Sequence, residues 1–276
     1  MSGRVFVKYF QKQLAIDLLF KSNRNITRNS RLLTAASNPE LKTPDTMTTN
    51  NTNETTYTYD QAVIKGRNAD HSIHPLILSR TSPREMTGQL LSDGELMTLF
   101  EAARWAPSFY NQQPWRFAYA KRNTDNYAKF ESLVWPLNLQ WCREASALVV
   151  VASHKLFYMK GDNTKELPNP THSFDAGAAC MALALEANAR DLVVHCMAGF
   201  DYQKAYEVFG VDQQRYNIDC MIAIGRRPEP NLRPHEPRVS PRNALNTFVS
   251  EGSFRPVPVQ RNESKIEEIQ DRYSKT

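Results

Sequence analysis

Glycine is scarce in this chain, ten in 276 residues, and none falls into a G-x-G-x-x-G fingerprint. A Rossmann-type nicotinamide domain is therefore not expected, since that motif supplies the close backbone approach a dinucleotide needs. Cysteine is scarcer still. Cys142, Cys180, Cys196 and Cys220 lie far apart without a C-x-x-C pair, which argues against a zinc site or disulfide framework and for reduced, buried thiols. No apolar run reaches the roughly 20 residues that span a bilayer, so no membrane partner is expected. Acids are nearly missing at the amino terminus, where seven Lys or Arg and only Asp17 precede Leu32. The net charge of +5 sits largely in that segment, so the weakly basic total does not point to nucleic acid.

What remains divides into three stretches. Residues 1–58 are a basic leader and a Thr/Asn-rich linker too polar to pack. Phe6, Phe10, Leu14, Leu18 and Leu19 recur at roughly helical spacing, as in a mitochondrial transit peptide. Met47 is an alternative start, and the protein is then cytoplasmic. Residues 59–254 form the folded domain, consistent with 41% hydrophobic and 10% aromatic content, and residues 255–276 are a charged tail.

Chemistry concentrates in residues 103–117, ARWAPSFYNQQPWRF. Ser92 and Glu95 form a capping box, and Leu96, Leu99, Phe100 and Ala103 give a helical stripe ending at Pro107. Pro107, Ser108 and Asn111 then occupy a turn before a short strand, a layout suited to gripping a flat heteroaromatic ring by its edge. A purely structural turn fits the same residues. Upstream, Arg80, Ser82 and Arg84 alternate in LSRTSPREM, placing two guanidinium forks and a hydroxyl on one side of an extended segment. That trio suits a phosphate, or a solvated basic face.

The pattern predicts a short helix over 60–68, an extended entry over 71–78 and a helix over 127–134. Buried strands follow at 147–153 and 218–225, a short strand at 192–195 and a carboxy-terminal strand at 244–249. Residues 157–170 read as a mobile polar loop. Over 173–190 a small-residue helix presents Phe174, Ala178, Met181, Leu185 and Ala189 on one face. Gly199, in HCMAGFD, offers backbone freedom and close approach to a ligand, and Asp201 caps a helix through Phe209. His195 has no Asp or Cys arranged beside it, so packing or hydrogen bonding is its expected role.

Four separated motifs in order, R-x-S-x-R, A-P-S-x-x-N-x-Q-P-W-R-F, D-x-G-A-A-x-x-x-L-x-L-E-A and H-x-M-A-G, resemble the nitroreductase family over residues 76–252. Thr81 departs from the aromatic or basic residue many members carry there. The resemblance implies an α+β, three-layer fold, a central mixed sheet flanked by helices, in an arm-exchanged homodimer. It also implies FMN as cofactor, with NADH or NADPH as transient hydride donor, ping-pong transfer through flavin N5, and a nitroaromatic, quinone or similar small-molecule acceptor. Residue by residue, Arg80, Ser82 and Arg242 would hold the phosphate, and Arg84 and Asn111 would meet the pyrimidine edge. Cys196, Ala198 and Gly199 would lie near N5, and Pro107 and Ser108 would come from the other subunit. No catalytic side chain is assigned, because the cofactor carries the chemistry. A non-catalytic flavin sensor, a reductive dehalogenase-like enzyme or a flavin-processing relative remain alternatives on the same fold.

Overall fold

Ser92 starts the first long helix as the pattern predicts: its hydroxyl accepts the Glu95 N–H, and the Glu95 carboxylate accepts the Ser92 N–H. A computed structural model describes residues 59–159, 162–232 and 239–254. The expected transit-like leader, the linker and the charged tail lie outside the described residues. In chain order the elements are α1 (Gln61–Lys65), α2 (Pro75–Ser79), α3 (Asp93–Arg104), a 3-10 turn (Phe109–Asn111) and β1 (Trp115–Lys121). Then come α4 (Tyr127–Glu131), α5 (Pro136–Cys142), β2 (Ala147–His154), β3 (Leu156–Met159) and β4 (Asp162–Pro168). The long α6 (His172–Ala189), β5 (Leu192–Met197), α7 (Tyr202–Phe209) and β6 (Tyr216–Arg226) complete the domain.

The central sheet runs β1-β2-β6-β5, and each of its three described pairings is antiparallel. Both faces are covered, which is why β2 and β6 read as unbroken apolar runs. Val149, Val151, Ile222 and Ile224 point to α3 and α6, meeting Leu96, Leu99, Ala179 and Leu183. Leu148, Val150, Met221 and Ala223 point the other way, to Phe130 on α4, Cys142 on α5 and Ala205 on α7. Helices, sheet, helices: this is the α+β three-layer arrangement expected. Among the described residues no helix is long and apolar enough to cross a membrane.

Several local expectations change. Residues 71–78 are not extended throughout: Pro75 at the first helical position, with His74 Nδ1 accepting the Leu76 N–H at 3.1 Å, opens α2. The 157–170 loop is largely the hairpin β3–β4, with Tyr158 and Arg215 both binding Glu166. Residues 244–249 form a 3-10 turn over Leu245–Thr247 rather than a strand, with Phe248 and Val249 exposed. On α6 the face toward the core is Ala176, Ala179, Leu183 and Ala187, while Phe174 is 80% and Met181 50% exposed. The helix therefore carries two apolar faces and buries one. Of the cysteines, all free, only Cys142 is buried; Cys196 is exposed.

Candidate functional site

Arg80 leaves the end of α2, and that end is tied down twice. Asn188 of α6 donates to Ser79 Oγ at 2.8 Å, and Arg67 Nη1 donates to Leu78 O at 2.6 Å. Arg80 Nη1 in turn donates to Ser82 Oγ and Thr81 O, each at 3.0 Å, so the predicted Arg80–Ser82 pairing is present. Val239 packs so closely on Gly66 that a Cβ there would lie 3.0 Å from Val239 Cγ2, bringing the late segment with Arg242 to the same place. Burial first, then the Arg242 charge, pull Arg80 below the ordinary arginine range; Arg67 is lowered by burial, Arg242 and Arg80. Three guanidinium groups thus converge from residues 67, 80 and 242, and none forms an ion pair with an acid among the described residues. Arg67 Nε is also buried without a hydrogen-bond partner. Convergent cations with an orphaned donor form the cradle a phosphate completes, so these residues fit a phosphate-bearing cofactor.

The H-C-M-A-G loop is pinned by α5. Asn138 Nδ2 donates to Gly199 O at 3.0 Å, and the Trp135 N–H does so at 3.2 Å. Gly199 is needed for this approach and not for an unusual φ: a Cβ on it would sit 2.4 Å from Asn138 Nδ2, and its φ lies outside the left-handed region. His195 Nδ1 lies 3.0 Å from Pro83 O, a pure acceptor, so Nδ1 carries the proton. Burial holds the ring below its ordinary pKa and hence neutral, with the Trp141 ring tilted against it at 4.5 Å. His195 is a packing and hydrogen-bonding residue, as its surroundings in sequence suggested. Arg84 lies over the Trp141 ring at 5.7 Å. The Cys196 thiol is raised, chiefly by its hydrogen bond to Cys220, and the Cys220 thiol is pushed up to about 12, chiefly by Cys180. At neutral pH they are thiols, and no group of three or more His, Cys, Asp or Glu among the described residues suits a metal ion.

Pro107, Ser108 and Asn111 form the other part. The Phe109 N–H donates to buried Asp175 Oδ2 at 3.0 Å, so the turn is strapped to the first turn of α6. Ser108 Oγ accepts the Gln113 N–H at 2.9 Å. Tyr110, Asn111 and Gln113 all have left-handed φ, 49°, 55° and 48°. For Tyr and Gln this costs roughly 1–3 kcal/mol each, which the surrounding contacts must offset. Phe157 supplies one such contact, edge-on to Phe109 at 5.2 Å. The Asn111 amide is exposed and makes no hydrogen bond among the described residues. Nor does any hydrogen bond or ion pair there join Pro107, Ser108 or Asn111 to Arg80, Ser82, Arg84, Cys196, Ala198, Gly199 or Arg242.

The sequence model of the Nitroreductase family matches residues 77–226. The chain belongs to the nitroreductase family. Among solved relatives, an oxidoreductase containing FMN is 31% identical and superposes with a TM-score of 0.62 over 68% of this chain and 96% of its own. The CLA biosynthesis enone reductase of Lactiplantibacillus plantarum is 28% identical over 194 residues, 59% of this chain and 89% of its own. A nitroreductase family protein from Clostridium difficile 630 shares the fold at 17% identity, with a TM-score of 0.51 over 65% of this chain and 97% of its own. Against that nitroreductase frame, three contributors are absent from the sequence reading. Arg67 and Asp175 reach the site from elements whose mutual approach no local pattern reveals. Asn138 was more accessible, since Pro136 directly after Trp135 marks a helix start.

Proposed function

We propose that this chain is an FMN-dependent NAD(P)H oxidoreductase acting as a homodimer. The observation that carries the reading is the meeting of Arg67, Arg80 and Arg242 without a carboxylate, supported by a 31%-identical relative that contains FMN. In this reading the three guanidinium groups and the Ser82 hydroxyl bind the phosphate. The exposed Asn111 amide, donor on one side and acceptor on the other, reads the ring edge of a cofactor held by the partner copy. The second apolar face of α6, with Phe174, Met181 and open space over Gly177, is where two copies meet. Bound FMN would supply reversible two-electron chemistry, and one open face serving donor and acceptor in turn gives ping-pong kinetics. The resemblance to an enone reductase adds enones to nitroaromatics and quinones as acceptors. If the leader is used, the enzyme works in mitochondria.

The test is an absorbance spectrum of the purified protein, then anaerobic titration with NADH and with NADPH, then addition of menadione. The reading expects flavin bands that bleach with a nicotinamide and return with menadione. Protein that cannot take up FMN refutes it, and flavin that no nicotinamide bleaches favours a sensor.

A further inference from the structure

One cavity shares no residue with the flavin candidates. It measures about 350 Å³ and lies between β1 and the residues that follow the carboxy-terminal turn of α7. Buried Val150, Ala152 and Ile218 form its floor, and Phe209 and Tyr216 line its side. Its volume is at the low end of small-molecule sites, room for a chain of roughly eight carbons.

Two charged residues line it, and they are not equally occupied. Asp212 caps its own turn, with Oδ1 accepting the Gln214 N–H at 2.7 Å and its carbonyl accepting the Tyr216 N–H at 2.9 Å. Arg116 uses Nη1 alone, donating to Gln113 O and Trp115 O at 2.9 and 2.7 Å. Its Nε and Nη2 make no hydrogen bond, and no acid pairs with it, among the described residues. The cavity walls are almost wholly apolar and Arg116 is exposed, so an anionic head would sit at the mouth, where this free edge can receive a carboxylate through two parallel bonds. Beside Tyr216, the His154 ring lies tilted at 4.8 Å with Nε2 buried and unbonded, and burial followed by the Arg215 and Arg116 charges lowers its proton affinity. Arg215 is already paired with Glu166, so Arg116 is the cation available to a ligand.

We propose that this cavity binds a small aliphatic monocarboxylate, its chain over Val150, Ala152 and Ile218 and its head on the Arg116 fork.

The FMN-loaded full-length protein is titrated calorimetrically with sodium octanoate, 1-octanol and octylammonium chloride. Octanoate is expected to bind saturably, octanol at least about tenfold more weakly and octylammonium more weakly still. Ala118→Trp, at an exposed lining position, should abolish octanoate binding with flavin content and melting temperature unchanged. Arg116→Gln should leave octanoate and octanol indistinguishable. Failure of octanoate to bind wild-type protein, as when a second copy covers the cavity, overturns the proposal. So does equal binding of the three probes, or octanoate binding that survives Ala118→Trp. Because flavin content and nicotinamide oxidation are read separately, failure here leaves the flavin assignment standing.

Discussion

Replacing Gly199 by alanine tests the idea that α5 holds the H-C-M-A-G loop by contact. The new Cβ would sit 2.4 Å from Asn138 Nδ2 and 3.4 Å from its Cγ, so the short Asn138 side chain must swing away. It then gives up its bond to Gly199 O, 3.0 Å, and the one its Oδ1 accepts from Trp141 Nε1, 3.2 Å. Two part-buried bonds at about 1 kcal/mol each plus residual overpacking of about 1 kcal/mol give a cost of about 3 kcal/mol. For a domain of this size that lowers the melting temperature by about 6–12 °C. Asn138→Ala alone loses the same two bonds, about 2 kcal/mol. The double variant should cost no more than Asn138→Ala, about 2 rather than about 5 kcal/mol, because the obstacle to the methyl is gone. Urea denaturation of the four proteins measures the cycle. Additive costs, or a Gly199→Ala protein as stable as wild type, would refute the reasoning.

Asp175→Ala leaves the Phe109 N–H and Thr171 hydroxyl without their charged acceptor and should cost about 1.5–3 kcal/mol in urea denaturation. Arg67→Gln relieves repulsion from Arg80 and Arg242 but loses the bond to Leu78 O, so the FMN-free protein should lose at most about 1 kcal/mol while FMN affinity, by fluorescence quenching, falls about tenfold or more. Glu166 is held below its ordinary pKa of 4.5 by Arg215 and then Tyr158. Its support is present above that value and lost as pH falls through the depressed one. Melting of Glu166→Gln should therefore depend less on pH between about 5 and 3 than wild type, with the difference shrinking in about 0.5 M salt. Phe174→Glu should leave the fold intact and shift sedimentation toward a single copy, if α6 joins two chains.

Features written in one short window were legible before any coordinates. The Ser92–Glu95 box, the apolar runs of β2 and β6 and the Asp201 cap each depend on neighbours within a few residues, and each is found. The Arg80–Ser82 pair was readable for the same reason. The hairpin β3–β4 was not, because its polar strands gain from the distant Arg215 what local sequence does not show. Arg67 was missed because Gly66 meets Val239 only after folding. The apolar stripe read along α6 is split: Phe174 and Met181 lie on the outer face, while Ala178 packs against the core and Ala189 is buried, because alanines too small to dominate a hydrophobic pattern make much of the inner face.

The division of the site proposed above has a genetic consequence. If two copies each lend the other the Ser108–Asn111 turn, one chain disabled at Arg80 and another disabled at Asn111 are not equivalent failures. In their mixed pair one cradle inherits both lesions and the other inherits neither. Two inactive proteins, mixed and reassembled, would complement, and activity would return in about half the sites of each hybrid.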